Sequence, residues 1–149
     1  MSLLKKIDND IKFAMKSKDA LVLESLRAVK SSILLFKTKS GSSAVLSDQD
    51  EIKILQKLVK QRKESAEIYK NQNRIELCDT ELNQASIIES YLPKQLSSEE
   101  VIIIIDKIII KLNATSMKDM GKVMSLASKE LSGKSDGKTI SEIVRKKLI

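Results

Sequence analysis

Apolar residues recur along most of this chain at intervals of three and four. That spacing lines one face of a helix; a half-buried strand would alternate instead. Leu4, Ile7, Ile11 and Met15 predict a first helix. Asp19 stands where an N-cap would open a second, whose apolar face includes Leu23, Leu26, Ile33 and Leu34. This helix is expected to end near Lys37, because "TKSGSSAVLS" around Gly41 reads as a Ser/Gly-rich loop. Ser47 followed by Asp50 is a weaker form of the capping box. It opens a long helix with Ile52, Leu55, Val59, Ala66 and Tyr69 on its inner stripe. "KNQNR" (70–74) breaks the pattern, and a further helix carries Leu77, Leu82, Ala85, Ile88 and Tyr91 up to Pro93.

Pro93 is the only proline in the chain. It lacks an N–H and forces Leu92 out of helical geometry, so it marks the expected boundary between domains at 1–93 and 94–149. Ser97 and Glu100 then spell a capping box ahead of "VIIIIDKIII" (101–110). β-Branched residues would suit a strand, but the cap, the Asp-Lys interruption and the helical neighbours favour a buried helix ending at "NATS" (113–116). Residues 117–131 place Met120, Val123, Met124 and Ala127 on one side. Gly133 suits the left-handed position past a helix end, and Asp136 suits the N-cap of a last helix bearing Ile140, Ile143, Val144 and Leu148. The expected fold is all-α: an N-terminal domain of about four helices, then a small C-terminal three-helix bundle.

Composition agrees with a helical globule. The 149 residues are 42% hydrophobic and 32% charged, with only 4 Gly. The net charge of +7 is unevenly spread. Residues 1–75 hold 16 Lys/Arg against 9 Asp/Glu, residues 76–106 hold 1 against 7, and residues 107–149 hold 10 against 4. Basic ends around an acidic middle suggest an anionic partner such as nucleic acid. Solvated Lys-rich helix faces account for the same charges, and charge alone leaves both readings standing.

Candidate chemistry narrows the field mainly by exclusion. There is no histidine, which removes Ser-His and Cys-His pairs, imidazole bases and His-ligated metals. Cys78 is the single cysteine and reads as a small apolar residue; no disulfide framework exists within one chain, and a reducing compartment is expected. The N-terminal stretch lacks a continuous apolar core and a cleavage site, so no secretory signal is expected. The most apolar run is too short to span a bilayer. The expectation is a soluble cytoplasmic protein with no membrane association, no cofactor and no metal. Phe13, Phe36, Tyr69 and Tyr91 are the only aromatics, at spacing suited to packing. Nucleic-acid contact would then be to shape and phosphate, without base stacking.

"SGKSDGK" (132–138) spells half of a nucleotide-binding P-loop twice. That loop needs a glycine five residues before its Gly-Lys pair and a strand ahead of it. Ser128 and Ser132 occupy those two positions, and the preceding residues read as a helix. The stretch is first a helix stop, a turn and a helix start. Lys134 and Lys138 flank the turn beside a helix N-terminus, an arrangement suited to phosphate.

Several stretches together resemble the YqeY family: "LRAVKSSI" (26–33), "KLVKQRKES" (57–65), "IIESYLPKQLSSEE" (87–100), "SMKDMGKVM" (116–124) and "GKSDGKTISEIV" (133–144). Proteins of this kind are similar to the C-terminal tail of the B subunit of glutamine-dependent aminoacyl-tRNA amidotransferase. The resemblance covers nearly the whole chain. It implies an all-helical protein whose C-terminal bundle contacts the tRNA body, with catalysis located elsewhere in the amidotransferase. It also associates the chain with carbon–nitrogen ligases that use glutamine as amido-N-donor, although no catalytic constellation stands in this sequence. Carried over to matching positions, tRNA contact is expected at Lys118, Gly121 and Lys122, and at Lys134, Asp136, Gly137 and Lys138. Ser135 departs from the Ala common in the family, and Ser141 from the Asn frequent in amidotransferase tails. A glycine inside a helix costs about 1 kcal/mol relative to Ala, so Gly121 suggests close packing or close approach of a ligand backbone. Three functions follow as expectations: a non-catalytic tRNA- or RNA-binding module; an accessory factor in glutamine-dependent amidation, working with amidotransferase or other aminoacyl-tRNA synthesis components; and a helical protein–protein adapter.

Overall fold

In a computed structural model, which describes residues 2–40 and 45–149, the protein is all-α. Among these residues lie seven α-helices: α1 (Leu3–Ser17), α2 (Ala20–Ser40), α3 (Asp48–Asn71), α4 (Ile75–Glu89), α5 (Ser98–Leu112), α6 (Met120–Glu130) and α7 (Gly137–Leu148). A single 3-10 turn, Met117–Asp119, precedes α6. Gly41, the centre of one expected loop, lies outside the described residues. The chain divides into two compact units, Met1–Leu92 and Pro93–Ile149.

In the first unit α3 packs along α4, α1 along α2, and α2 against both α3 and α4. Ile7, Leu26, Val29, Ile33, Leu55, Ala85 and Ile88 form its centre. Each of the Leu, Ile and Val side chains among them contributes about 1.5–3 kcal/mol by leaving water. The caps follow the residues that predict them. Asp19 Oδ1 accepts from Val22 N at 3.2 Å. Ser47 Oγ accepts from Asp50 N, and Asp50 Oδ2 accepts in return from Ser47 N. Polar side chains then tie helix to helix. Lys30 Nζ meets Asp8 at 2.7 Å, and Arg62 Nε donates to the buried Gln84 Oε1 at 3.2 Å. The Tyr91 hydroxyl donates to Asp10 Oδ2 at 2.5 Å, while Lys6 Nζ lies 5.4 Å from the Tyr91 ring centre.

Several inward positions differ from expectation. α2 continues past Lys37 to Ser40, with Thr38 Oγ1 donating back to the Leu34 carbonyl and Lys37 and Lys39 in the last turn, where the helix dipole favours cations. Met15, Leu34, Leu77 and Leu82 are exposed. Periodicity gives the width of an apolar stripe but not its centre: Leu3, Ile7 and Ala14 face inward on α1, and Cys78, Ala85 and Ile88 on α4. Tyr91 lies beyond the end of α4. α3 buries Ile54 and Leu58 as well as Leu55, Val59 and Ala66, because it contacts both α2 and α4. Phe13 is also a correction: it is 73% exposed, on the side of α1 away from Ile7 and Ala14.

The second unit is a three-helix bundle in which α5, α6 and α7 all touch one another. Its core is Val101, Ile105 and Ile108 from α5, Val123, Ala127 and Leu131 around α6, and Ile140, Val144 and Leu148 from α7. The Ile-rich run is helical, and Ser97 Oγ accepts from Glu100 N at 3.2 Å at its start. Only one stripe of it is buried, however; Ile103 and Ile110 are exposed. Among the described residues, no helix is long and apolar enough to cross a membrane.

Candidate nucleic-acid interface

The turn between α6 and α7 is built from its backbone outward. Leu131 caps α6 and is fully buried. Gly133 follows with φ 75°, a left-handed conformation that costs an L side chain strain and glycine none. Lys134 N donates to the Leu131 carbonyl at 2.9 Å, and Ser135 N to the same oxygen at 3.3 Å. Asp136 Oδ1 then accepts from Thr139 N at 2.8 Å, so its carboxylate orders the first turn of α7. Lys134, Gly137 and Lys138 are exposed around this frame.

The turn is also held from outside. Gln95 Nε2 donates to the Gly133 carbonyl at 2.6 Å and to the Pro93 carbonyl at 2.9 Å. Leu96 N donates to the Lys134 carbonyl at 2.9 Å. The "PKQL" segment (93–96) is therefore the brace of the lysine turn. Sequence reasoning assigns Gln95 and Leu96 no role. The one signal for them is that this block carries the family resemblance without any chemistry of its own.

The other group of expected residues stands at the start of α6. Ser116 Oγ accepts from Lys118 N at 3.4 Å, and Asp119 N donates to the Ser116 carbonyl at 3.0 Å. Asp119 Oδ2 accepts from Thr115 N at 2.9 Å and makes no side-chain cap for α6, whose first turn holds no acidic residue. Lys118, Gly121 and Lys122 are exposed. A Cβ added at Gly121 would meet nothing within 4 Å, and the same holds at Gly137. Close packing within the chain is thus not the reason for either glycine, and Gly121 sits in the first turn of α6, not in mid-helix.

All seven expected residues belong to one unit, but they do not form one cluster. Lys118, Gly121 and Lys122 lie at the start of α6; Lys134, Asp136, Gly137 and Lys138 lie past its end. An 11-residue helix is about 16 Å long, so one phosphate group cannot meet both sets, whereas an extended backbone can. Among the described residues, none of the four lysines is paired with a carboxylate; the unit's one ion pair is Lys147 Nζ–Asp106 Oδ1 at 3.2 Å. The last turn of α7 adds exposed Arg145 and Lys146.

No group of three His, Cys, Asp or Glu gathers among the described residues. The Tyr91 hydroxyl, in the first unit, is held well above its ordinary value by burial first and by the Asp10 hydrogen bond and charge second. That places a neutral donor on Asp10 and leaves a structural tie.

A family model described as Yqey-like protein matches residues 4–148. The chain is 37% identical over 92 residues to the protein called "Altered inheritance of mitochondria protein 41, mitochondrial" of Meyerozyma guilliermondii, covering 60% of this chain and 46% of that one. It is 31% identical over 85 residues to an uncharacterized protein of Schizosaccharomyces pombe, covering 57% of this chain and 68% of the other. The chain thus aligns with less than half the length of the first of these relatives. A match along nearly the full chain settles the family: this protein belongs to the YqeY family, whose domain is of the GatB/YqeY type.

Proposed function

We propose that the protein is a non-catalytic RNA-binding module, with tRNA as its class of ligand, that grips the phosphate backbone through the second unit. One observation carries the reading. Lys118, Lys122, Lys134 and Lys138 are exposed and unpaired among the described residues, and they sit beside two helix N-termini about one short helix apart. The open surface at Gly121 and Gly137 lets a backbone approach without meeting a Cβ. Cys78, free and buried, fits the reducing environment of the cytoplasm, where we place the protein.

Binding of bulk tRNA, followed against salt concentration, tests this. Affinity should fall steeply with salt, and replacing all four lysines by Ala should flatten the log–log slope by about three. No binding at low salt, or a slope unchanged in the variant, would sink the proposal. Absorbance near 260 nm that co-purifies and disappears with RNase supports it; a co-purifying protein band alone points instead to an adapter.

Family membership favours a second reading, in which the module assists glutamine-dependent amidation by a partner that supplies the active site. Adding the protein to an amidotransferase should then raise the amidation rate. An unchanged rate at saturating protein would remove this reading and leave the RNA-binding one intact.

A further inference from the structure

Two surfaces of the first unit remain without a role, and they are complementary. Between α2 and α3 lies a groove of about 340 Å³. Leu35, Phe36, Ile54 and Leu58 give it an apolar floor, and Lys39 and Lys57 stand at its rim. Leu35 remains 57% exposed there, and neither lysine is paired with a carboxylate among the described residues. Ser32 to Lys39 on one wall and Ile54 to Gln61 on the other each advance seven residues, or about 10.5 Å of helix. Ser32, Lys57 and Gln61 belong to two sequence blocks of the family resemblance that the RNA reading does not use.

The second surface is an exposed flank of α4. This helix carries Glu76, Asp79, Glu81 and Glu89 and no cation. Its inner side, with Cys78, Ala85 and Ile88, enters the core. Ile75, Asp79 and Leu82 form a stripe at i, i+4 and i+7 that borders this inner side, with Ile75 54% and Leu82 44% exposed. Two apolar anchors seven residues apart around an anion match the groove in length, apolarity and sign of charge. This is the helix-in-groove mode of recognition.

We infer that the chain associates with a second copy of itself by seating the Ile75–Asp79–Leu82 stripe of one molecule in the α2–α3 groove of the other. The two surfaces differ, so the contact closes as a dimer when it forms twice about a twofold axis. Apolar anchors supply the burial; the Lys39 and Lys57 ammonium groups, meeting Asp79 and Glu76, supply orientation and salt dependence. The inference is independent of the RNA reading, which uses the other unit.

Sedimentation equilibrium of the full chain at low salt provides the test, carried to about 500 µM because so small an interface lies at the weak end. The average mass should rise above that of one chain with concentration and fall back with added salt. Two double variants reverse one side each: Lys39→Glu with Lys57→Glu, and Glu76→Lys with Asp79→Lys. All four positions are exposed, so both should keep wild-type helicity by circular dichroism. Each alone should associate at least tenfold more weakly, since like charges then face each other in every contact. An equimolar mixture should recover wild-type association, because both contacts of the mixed pair again join opposite charges. A mass of one chain at every concentration overturns the inference. So do variants that associate like wild type, or a mixture that fails to recover.

Discussion

The two units use the same lysine-rich, helix-favouring composition in different ways. In the first, charged and polar side chains reach across helices: Lys30 to Asp8, Lys63 to Glu89 at 3.5 Å, Arg62 to Gln84, and Tyr91 to Asp10 beneath Lys6. In the second, side-chain hydrogen bonds mostly cap helix ends and brace one turn, and the lysines around them stay free. A lysine locked in a cross-helix pair has a structural role. One displayed beside a capped helix start is available to a ligand. The contrast lies in where the polar ties run, across helices in the first unit and at helix ends in the second; most lysines of both units are unpaired among the described residues.

The largest effect that bears on this contrast comes from the cores. Ile105→Ala, in the middle of the second core, should cost about 2–5 kcal/mol. Hydrogen exchange should show the lost protection in α5–α7. Equal loss in α1–α4 would mean that the two cores melt together, and the division would have to be redrawn.

Tyr91→Phe tests the cross-helix ties of the first unit. Losing the hydrogen bond to Asp10 should cost about 1–2 kcal/mol in denaturant melts near neutral pH. The pH dependence has a definite sign. A hydroxyl held above its ordinary value of 10.0 stays protonated in the folded state, so its contribution is complete below pH 10 and is lost as pH rises further. Wild type should therefore weaken more steeply than Tyr91→Phe above that pH. Parallel curves would show that the tie does not matter.

Gln95→Ala removes the brace on the Gly133 carbonyl, at a cost of about 1 kcal/mol. Because the brace positions Lys134, tRNA affinity should drop while the salt slope stays near that of wild type, since no lysine is removed. A flattened slope would mean that the whole turn had moved. The smallest effect is expected at Gly121→Ala. With open space around the added methyl, helix propensity should raise stability by up to about 1 kcal/mol. If a ligand backbone approaches there, tRNA binding weakens even as the melt improves. Both quantities rising together would free Gly121 from any part in binding.

Much of the local structure was legible in the residues. Asp19, Ser47, Ser97 and Asp136 each accept the capping hydrogen bond expected of them, and Gly133 takes the left-handed conformation. These features depend on neighbours within four residues, so the sequence contains their cause. Inward faces were less legible. Phe13, Met15, Leu77 and Leu82 share helical spacing with core residues yet stand in solvent, because which part of an apolar stripe is covered depends on where the next helix lies. The brace from Gln95 to Gly133 was hidden for the same reason, since 38 residues separate the partners.

By itself, then, the sequence determined the helical class, the caps and turns, the absence of imidazole chemistry and the lysines that flank two helix starts. Period, capping hydrogen bonds and residue inventory are short-range properties that one chain read in order displays. Only the tertiary structure decided which lysines are paired and which are free, that the two lysine groups stand at opposite ends of α6, and that Gln95 and Leu96 hold the turn between them. Those outcomes rest on contacts between residues far apart in the chain, fixed when the buried faces of α5, α6 and α7 close on one core.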